Sequence, residues 1–319
     1  MGDVTGLHHI TCIAGDPQEN VDFYSGVLGM RLVKKSVNQD SPGTYHLFYA
    51  DADGHPGTDI TFFPWPEMAP AKPGIGLAME VSLAVPIGSL DYWSARLSEH
   101  GLAVGESEIR RQTAAISFTD VHGLPLTLHE TADDREFTAW HASPVPADKQ
   151  IRGLHSVRLW ERDLAATSAF LTGVLGFVDL GREGDWTAFG FDGGRSGTYL
   201  EIREIPECDR GRWGVGGVHH VAWRVADVDT ELVVRERIER ARRRPTEVID
   251  RFWFKSVYFL EPGGVLFELA TDGPGFTVDE DAATLGEHLV LPPWLEPHRT
   301  EIEAALPPIR PATESGARL

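Results

Sequence analysis

Hydrophobic and polar positions along the chain follow one pattern that occurs four times. Each copy begins with a strand-like alternation of apolar and polar residues, continues with helical spacing and ends in further strand-like segments. The copies span residues 7–64, 77–131, 153–205 and 217–271. Each copy therefore predicts a strand, a helix and three more strands, which together form a βαβββ module.

The repeat is clearest between the first and third copies. The segment GLHHITCIA at residues 6–14 corresponds to GLHSVRLW at residues 153–160, and the tetrapeptide GVLG occurs at residues 26–29 and 173–176. Both correspondences have the same offset of 147 residues, since 153 − 6 and 173 − 26 are equal. A constant offset at two separate motifs indicates an internal duplication.

The modules predict an α+β fold with two tandem domains of two βαβββ modules each. The chain has 319 residues, which suits roughly two domains at about 100–200 residues each. We expect an N-terminal domain over residues 1–145, a C-terminal domain over 146–277, and a tail over 278–319 that packs on the domains. The tail contains an amphipathic pattern that predicts a helix over residues 299–306.

This arrangement of repeats resembles the vicinal oxygen chelate superfamily, also called the glyoxalase and extradiol dioxygenase fold. The resemblance covers nearly the whole chain, up to about Asp272. It implies curved mixed sheets, each built from two modules, around a metal that is held by equivalent positions on the first and last strands of a module.

Candidate ligands follow from aligning the strands of the four modules. The first strands bring four residues into register: His9, Glu80, Ser156 and His220. The last strands, aligned on a preceding glycine, bring four more into register: Thr61, Leu128, Glu201 and Glu268.

Pairing the first module with the fourth gives the stronger candidate site. It combines His9, His220 and Glu268, two imidazoles and a carboxylate, which is the facial triad typical of non-haem iron(II) oxygenases. Glu268 lies within the apolar segment VLFELA, where an ionised carboxylate is costly unless it is paired or coordinated. Pairing the second module with the third offers no imidazole, so we expect one metal per chain.

Within the superfamily the chain most resembles the hydroquinone-type ring-cleaving dioxygenases. Five segments carry this resemblance: GLHHIT at 6–11, GGVHHVA at 216–222, RFWFKSVYF at 251–259, GGVLFELATD at 263–272 and LPPWLE at 291–296. The resemblance implies iron ligands at His9, His220 and Glu268, and further catalytic groups at five positions: His8, Thr11, His219, Arg251 and Tyr258.

The implied reaction is the opening of a small aromatic ring by dioxygen with iron(II), or alternatively manganese(II), as cofactor. His8 or His219 would accept the substrate's proton, and Arg251 and Tyr258 would hydrogen-bond the developing negative charge. Arg251 and Tyr258 are seven residues apart (258 − 251), so a regular strand would place them on opposite faces. Both can reach one pocket only if a bulge or a strand end intervenes.

Three alternatives remain open at this point. A glyoxalase-like isomerase or thiol transferase would commonly have two carboxylates among four ligands, whereas Thr61 stands at the fourth position. A catechol extradiol dioxygenase commonly pairs the third and fourth modules, which would require a ligand at Ser156. A metal-free binding protein would not need the triad. The resemblance also allows a homo-oligomer.

The amino-acid composition limits the kinds of partner that we expect the protein to bind. There are 48 acidic and 29 basic residues, and this net charge of −19 disfavours nucleic acids and anionic membranes. Two cysteines exclude a disulfide framework and a four-cysteine zinc site. No 18-residue apolar stretch and no signal-peptide core occurs, so we expect a cytoplasmic protein. The remaining histidines that we considered are assigned structural roles: His46, His55, His122, His129 and His141.

Overall fold

The computed structural model describes residues 3–132 and 134–312, which form the four expected modules. The strands and helix of the first module are β1 (Val4–Ala14), α1 (Pro17–Val21), β2 (Arg31–Asn38), β3 (Ser41–Ala50) and β4 (Asp59–Pro64). Those of the second are β5 (Leu77–Pro86), α2 (Leu90–Glu99), β6 (Glu108–Arg110), β7 (Thr113–Thr119) and β8 (Pro125–Thr131). The prediction of an α+β fold with repeated modules is confirmed.

The second half of the chain repeats this order. The third module contains β9 (Gly153–Glu161), α3 (Leu164–Phe170), β10 (Val178–Glu183), β11 (Trp186–Gly190) and β12 (Tyr199–Glu204). The fourth contains β13 (Gly217–Val225), α4 (Val228–Arg240), β14 (Ile249–Asp250), β15 (Lys255–Leu260) and β16 (Leu266–Thr271). Helices α1 and α3 each continue into a π-helical turn, at Asp22–Val27 and Leu171–Leu175.

The helices begin where short polar side chains can accept hydrogen bonds from the first turn. The Asp16 carboxylate accepts from the amides of Gln18 and Glu19 before α1, and the Asp227 carboxylate accepts from the amide of Thr230 before α4. Such N-caps satisfy donors that have no partner inside the helix, and each stabilises a helix start by about 1 kcal/mol.

Strands from both halves of the chain combine into two eight-stranded sheets. The first sheet has the order β14-β15-β16-β13-β1-β4-β3-β2, and the second has the order β10-β11-β12-β9-β5-β8-β7-β6. The first module thus pairs with the fourth and the second with the third, as the ligand pattern required. Because each sheet takes strands from both halves, the domain limits given above as residue numbers stay predictions.

Alternation along the central strands separates core from site. On β1, Ile10 and Cys12 point into the hydrophobic core, and His9 and Thr11 point to the other face. Burying a side chain as large as Ile10 contributes about 1.5–3 kcal/mol, so this register is strongly fixed.

The centre of the first sheet is nearly symmetric. Strands β1 and β13 run antiparallel with Ile10 opposite Val221, which places His9 opposite Ala222 and His220 opposite Thr11. The two histidines are therefore related by a local two-fold axis through the Ile10–Val221 pair.

The segment RFWFKSVYF at residues 251–259 does not form one continuous strand. Residues 252–254 do not extend β15 but form a turn after β14, with Phe252 at a φ of 74°. A positive φ is unfavourable for a bulky residue in a strand, so the chain changes direction here. The turn ends the strand between Arg251 and Tyr258, and a strand end or a bulge is needed there if both side chains are to reach one pocket.

The segment after β16 lies against the first sheet. It contains three short 3₁₀ turns and α5 (Arg299–Ala305), whose Ile302 is buried. The Tyr45 hydroxyl on β3 donates to the Pro307 carbonyl at 2.8 Å. Residues 313–319 of the predicted tail lie outside the described residues. Across the described chain, no helix has the length and apolar character needed to cross a membrane.

Candidate metal centre

Three side chains from the first sheet converge behind a cleft. The Nε2 atoms of His9 and His220 lie 3.3 Å apart. The Glu268 Oε2 atom lies 3.3 Å from the first and 2.9 Å from the second. Each residue is at most 3% exposed. Among the described residues this is the one group of three histidine, cysteine, aspartate or glutamate side chains close enough to hold a metal ion.

The adjacent histidine His8 determines which His9 nitrogen is free. His8 Nε2 lies 3.2 Å from the Thr271 carbonyl, which can only accept, so His8 carries its proton on Nε2. Burial, and next the charge of His9, lower the pKa of His8 to about 3, so this ring is neutral at pH 7. His8 Nδ1 therefore accepts from His9 Nδ1 at 2.9 Å. We assign a lone pair to His9 Nε2, directed at the triad centre.

His219 has the same relation to His220. Their Nδ1 atoms lie 2.8 Å apart, which leaves His220 Nε2 directed at Glu268. Burial, followed by the charge of His220, lowers the pKa of His219 to about 3. The His219 ring stacks on Trp213 at 4.6 Å between centroids. Metal-binding histidines usually have such a hydrogen-bond partner on the second nitrogen, because it fixes the tautomer and the ring orientation.

Glu268 is held by one partner and left open at its second oxygen. The Ser256 hydroxyl donates to Oε1 at 2.5 Å, and Oε2 has no hydrogen-bond donor within the described chain. Burial alone would raise the pKa of Glu268, but the two imidazoles outweigh it and hold this pKa well below its usual range. The group is therefore a carboxylate at neutral pH.

The donor set fits a divalent metal ion. Nitrogen and oxygen ligands bind such ions at about 2.0–2.2 Å, so neighbouring ligands at right angles lie about 3 Å apart. The triangle of 3.3, 3.3 and 2.9 Å between the three donor atoms matches this spacing. Three donor atoms this close repel one another unless a proton or a cation lies between them, so His9, His220 and Glu268 are suited to hold a divalent ion.

The cleft in front of the triad has aromatic walls and a polar rim. Its lining includes four apolar aromatic side chains, the two ligand histidines and six polar residues: Phe48, Phe63, Trp253, Phe254, His9, His220, Asn38, Gln39, Asp40, His46, Arg251 and Tyr258. The rim comes from the β2–β3 turn and from the turn before β15, where Arg251 and Asp40 form an ion pair at 2.9 Å. Such a site suits a flat, partly polar ring.

Arg251 and Tyr258 both reach the cleft. The turn at Phe252 brings the Arg251 guanidinium carbon 5.3 Å from the centre of the Tyr258 ring. Tyr258 is opposite Glu268 in the sheet, and its ring centre is 5.6 Å from that of His220. Burial, followed by the charge of Glu268, raises the pKa of Tyr258, so its hydroxyl stays protonated and can donate.

The other sequence-predicted residues lie behind the ligands. His8 and His219 contact His9 and His220 and do not line the cleft, so the expectation that either accepts a substrate proton does not fit the geometry. The Thr11 hydroxyl is 2.7 Å from that of Thr61 and is fully buried, so it acts on the cleft only through neighbours.

Sequence reasoning missed His46. The sequence predicts a structural role for this histidine, but its side chain lines the cleft, and its Nε2 lies 3.0 Å from the Thr61 hydroxyl. Burial is the main cause that holds the pKa of His46 well below 6.5. Strand register contained a signal for it: Phe48 is opposite Thr61 as Tyr258 is opposite Glu268, and His46 lies two residues from Phe48 on the same face.

Arginines occupy the equivalent place in the second sheet. Arg158 lies opposite Glu80 in the position that Ala222 takes in the first sheet. Its Nε donates to Glu201 at 2.9 Å, and Arg110 pairs with Glu80 at 2.5 Å. The two carboxylates thus have guanidinium partners, and no imidazole faces them at the ligand register.

One alignment within that sheet was wrong by one residue. Ser82 pairs with Thr127, just as Thr11 pairs with Thr61, whereas Leu128 points into the core. The Thr127 hydroxyl contacts Arg110 and Ser117. Thr127 and not Leu128 therefore stands at the ligand register, because the preceding glycine is Gly123 and the offset to the register is four residues, as elsewhere (127 − 123 and 61 − 57).

Comparison with known proteins shows which proteins this chain is similar to. The family model of the Glyoxalase/Bleomycin resistance protein/Dioxygenase superfamily matches residues 6–128 and 153–269. The chain is 41% identical to "Putative ring-cleaving dioxygenase MhqO" of Bacillus subtilis (strain 168) over 303 residues, which is 95% of this chain and 96% of that protein. It is 33% identical to a chlorohydroquinone/hydroquinone 1,2-dioxygenase of Sphingobium indicum, covering 94% of this chain and 95% of the relative.

Solved structures give the same result. A crystal structure described as a putative dioxygenase from Bacillus subtilis superposes with a TM-score of 0.92 at 40% identity, over 97% of this chain and 99% of that one. Glyoxalase I from Zea mays shares the fold, with a TM-score of 0.62 at 16% identity over 84% of this chain and 92% of its own. The chain therefore belongs to the Glyoxalase/Bleomycin resistance protein/Dioxygenase superfamily.

Proposed function

We propose that this protein is an iron(II)-dependent ring-cleaving dioxygenase that acts on a hydroquinone-type aromatic compound. The observation that carries the proposal is the convergence of two imidazoles and one carboxylate on a cleft with aromatic walls. The names of the relatives, ring-cleaving and hydroquinone dioxygenases, support the same reaction class.

His9, His220 and Glu268 would hold the iron. Iron(II) held by these two imidazoles and one carboxylate would bring a substrate hydroxyl and dioxygen together and would supply electron density to dioxygen. The protein contributes rigidity: His8, His219 and Ser256 each hold one ligand from behind, so little reorganisation is needed on binding.

The cleft residues orient the ring and handle its proton. Phe48, Phe63 and Trp253 offer apolar surfaces to an aromatic ring and limit the access of water. His46 is neutral at pH 7, so this imidazole can accept the proton of a substrate hydroxyl. Arg251 and the Tyr258 hydroxyl can donate hydrogen bonds to an oxygen that becomes negatively charged.

The test is anaerobic reconstitution with iron(II), followed by oxygen uptake with methylhydroquinone, chlorohydroquinone and catechol. We expect iron-dependent uptake and a ring-opened product, both lost in His220→Ala and retained in Ser156→Ala. Ser156 stands at the same register in the second sheet, so it is a matched control.

Two results would contradict the proposal or refine it. No uptake with any of the three compounds, despite one tightly bound metal per chain, would refute the dioxygenase and favour the isomerase alternative. Catechol cleavage without hydroquinone cleavage would refute the substrate class and keep the reaction type.

A further inference from the structure

We propose that Asp279, which follows the last strand and lies outside the cleft, positions the Trp253 wall and thereby determines which ring substituents fit. This inference rests on the proposed function for its substrate class. Asp279 belongs to a short segment, residues 276–280, which we call the anchor segment. Within the described chain, none of its residues lines the cleft.

The contact that carries the inference joins Asp279 to the indole. Trp253 Nε1 donates to the two Asp279 oxygens at 3.1 and 3.2 Å. Trp253 lies in the turn between β14 and β15, where no strand ladder fixes the backbone. Its Nε1 donor is the polar handle of an otherwise apolar ring, so the partner of this atom sets the ring's orientation.

Lys34 fixes Asp279 in turn. Its ammonium group is 2.8 Å from Asp279 Oδ1 and 3.0 Å from the Phe276 carbonyl, and it also pairs with Glu280. The Lys34 side chain is completely buried, and these partners compensate for the burial of its charge. Two carboxylates and one carbonyl from the anchor segment thus close around a cation that belongs to β2.

The same segment supports a second wall of the cleft. The Phe276 ring packs edge-to-face on Phe48 with centroids 5.3 Å apart, and Phe48 in turn contacts Trp253 at 6.1 Å. Both Phe48 and Trp253 line the cleft. The anchor segment therefore supports two adjacent aromatic walls from outside.

Wall position matters because small groups on the substrate are discriminated by space. One added or missing methylene in an apolar pocket changes kcat/KM by about 10- to 200-fold. If Trp253 loses its hydrogen bond, we expect the indole to shift, so that the wall no longer defines the volume beside a ring substituent. Asp279 acts only through Trp253, so it is a positioning residue.

Three variants separate this role from general stabilisation. Asp279→Ala removes both the indole partner and one partner of Lys34. Glu280→Ala is the matched control, because it removes a partner of Lys34 and leaves the indole bond. Asp279→Asn retains an oxygen that can accept from the indole but loses the charge that faces Lys34.

Two measurements are made on the full chain. The first follows the indole N–H resonances of the nine tryptophans by ¹⁵N NMR, with Trp253→Phe used to assign the Trp253 signal. We expect this signal to shift in Asp279→Ala and to stay in place in Glu280→Ala. The second is the ratio of kcat/KM for methylhydroquinone to that for unsubstituted hydroquinone. We expect it to fall about tenfold in Asp279→Ala, less than about twofold in Glu280→Ala, and to be largely restored in Asp279→Asn.

Equal changes of this ratio in Asp279→Ala and Glu280→Ala would overturn the proposal, because they would indicate loss of stability alone. An unshifted Trp253 signal in Asp279→Ala would overturn it as well. If the wild-type protein binds iron(II) but does not turn over any hydroquinone, the proposed function fails together with the selectivity claim, while the NMR signal still decides whether Asp279 positions Trp253.

Discussion

The histidines around the candidate metal centre differ in the partner that each ring nitrogen contacts. His9 and His220 each have a neighbouring imidazole on Nδ1, so their Nε2 atoms are left for a metal. His46 does not belong to the triad, and its Nε2 contacts the Thr61 hydroxyl. The same side chain type can therefore serve as a ligand, as a support or as a proton acceptor within a few ångströms.

The two buried glutamates at the ligand register give the first prediction. Glu268→Gln should lower metal affinity by more than about 100-fold, because a change behind a ligand already costs about 10- to 100-fold and this change removes the ligand charge itself. Glu201→Gln should retain about one metal per chain, since Glu201 pairs with Arg158 in the second sheet. The metal content of each variant after gel filtration tests both expectations. Loss of metal in both variants, or in neither, would contradict the assignment.

His46 gives a second prediction at the residue scale. His46→Asn should lower kcat about 100-fold or more at pH 7 and leave metal content unchanged, because it removes the proton acceptor in the cleft without touching a ligand. As the control, His129→Asn changes a buried histidine of the second sheet and should retain activity. A normal kcat in His46→Asn would mean that another group takes the proton.

At the scale of elements, the two sheets share one architecture but have different residues at the equivalent positions. Both have the same strand order within each module and the same register at their central pair. In one sheet the small residue Ala222 leaves room for a metal site. In the other, Arg158 fills the equivalent place with its own charge. A buried carboxylate needs a cation in either case, whether it is a metal or a guanidinium.

Helix α4 contains an unpaired acid that allows a stability prediction. Glu231 is fully buried, and neither carboxyl oxygen has a hydrogen-bond partner in the described residues. Burial, followed by the charge of Glu268, raises its pKa from 4.5 to about 8. The unfolded chain therefore releases this proton at a lower pH than the folded chain, so stability declines as the pH rises from about 4.5 to about 8.

Glu231→Gln should remove that decline. We expect the free energy of unfolding of the metal-free protein to increase by about 1–3 kcal/mol at pH 7 and to depend less on pH between 5 and 8. Glu236→Gln on the exposed face of the same helix should change it by less than about 0.5 kcal/mol. Urea unfolding at several pH values measures both variants. A destabilised Glu231→Gln would show that the acid has a partner that the amide cannot replace.

At the scale of the whole molecule, the triad joins distant parts of the chain. His9 lies on the first strand of the first module, and His220 and Glu268 lie on the fourth module. A metal bound to all three would therefore join the two modules of the first sheet across β1 and β13, its central pair of strands.

Metal binding should accordingly raise the stability of the fold. At a free metal concentration about 100 times the dissociation constant, the free energy of unfolding should increase by about 2.7 kcal/mol. The gain should vanish on addition of a chelator and be absent in His220→Ala. Thermal unfolding under nitrogen, with iron(II) or manganese(II), measures it. An equal gain in His220→Ala would indicate that metal binds elsewhere.

The sequence by itself determined the modules, their pairing and the candidate triad. Alternation on β1 and β13, a constant repeat offset and the register of His9, His220 and Glu268 are properties of local order, and a period of two fixes which face each residue takes. The strand pairing then followed from the chemistry: only the first and fourth modules bring two imidazoles and a carboxylate together.

The tertiary structure alone decided what surrounds the triad. The turn at Phe252, which brings Arg251 beside Tyr258, depends on a local positive φ that no repeat pattern contains. Asp279 meets Trp253 across 26 residues (279 − 253) of chain, and no strand pattern predicts this contact. Hydrophobic periodicity specifies which face of a strand is buried, but contacts between turns and tails depend on how the complete sheets close in space.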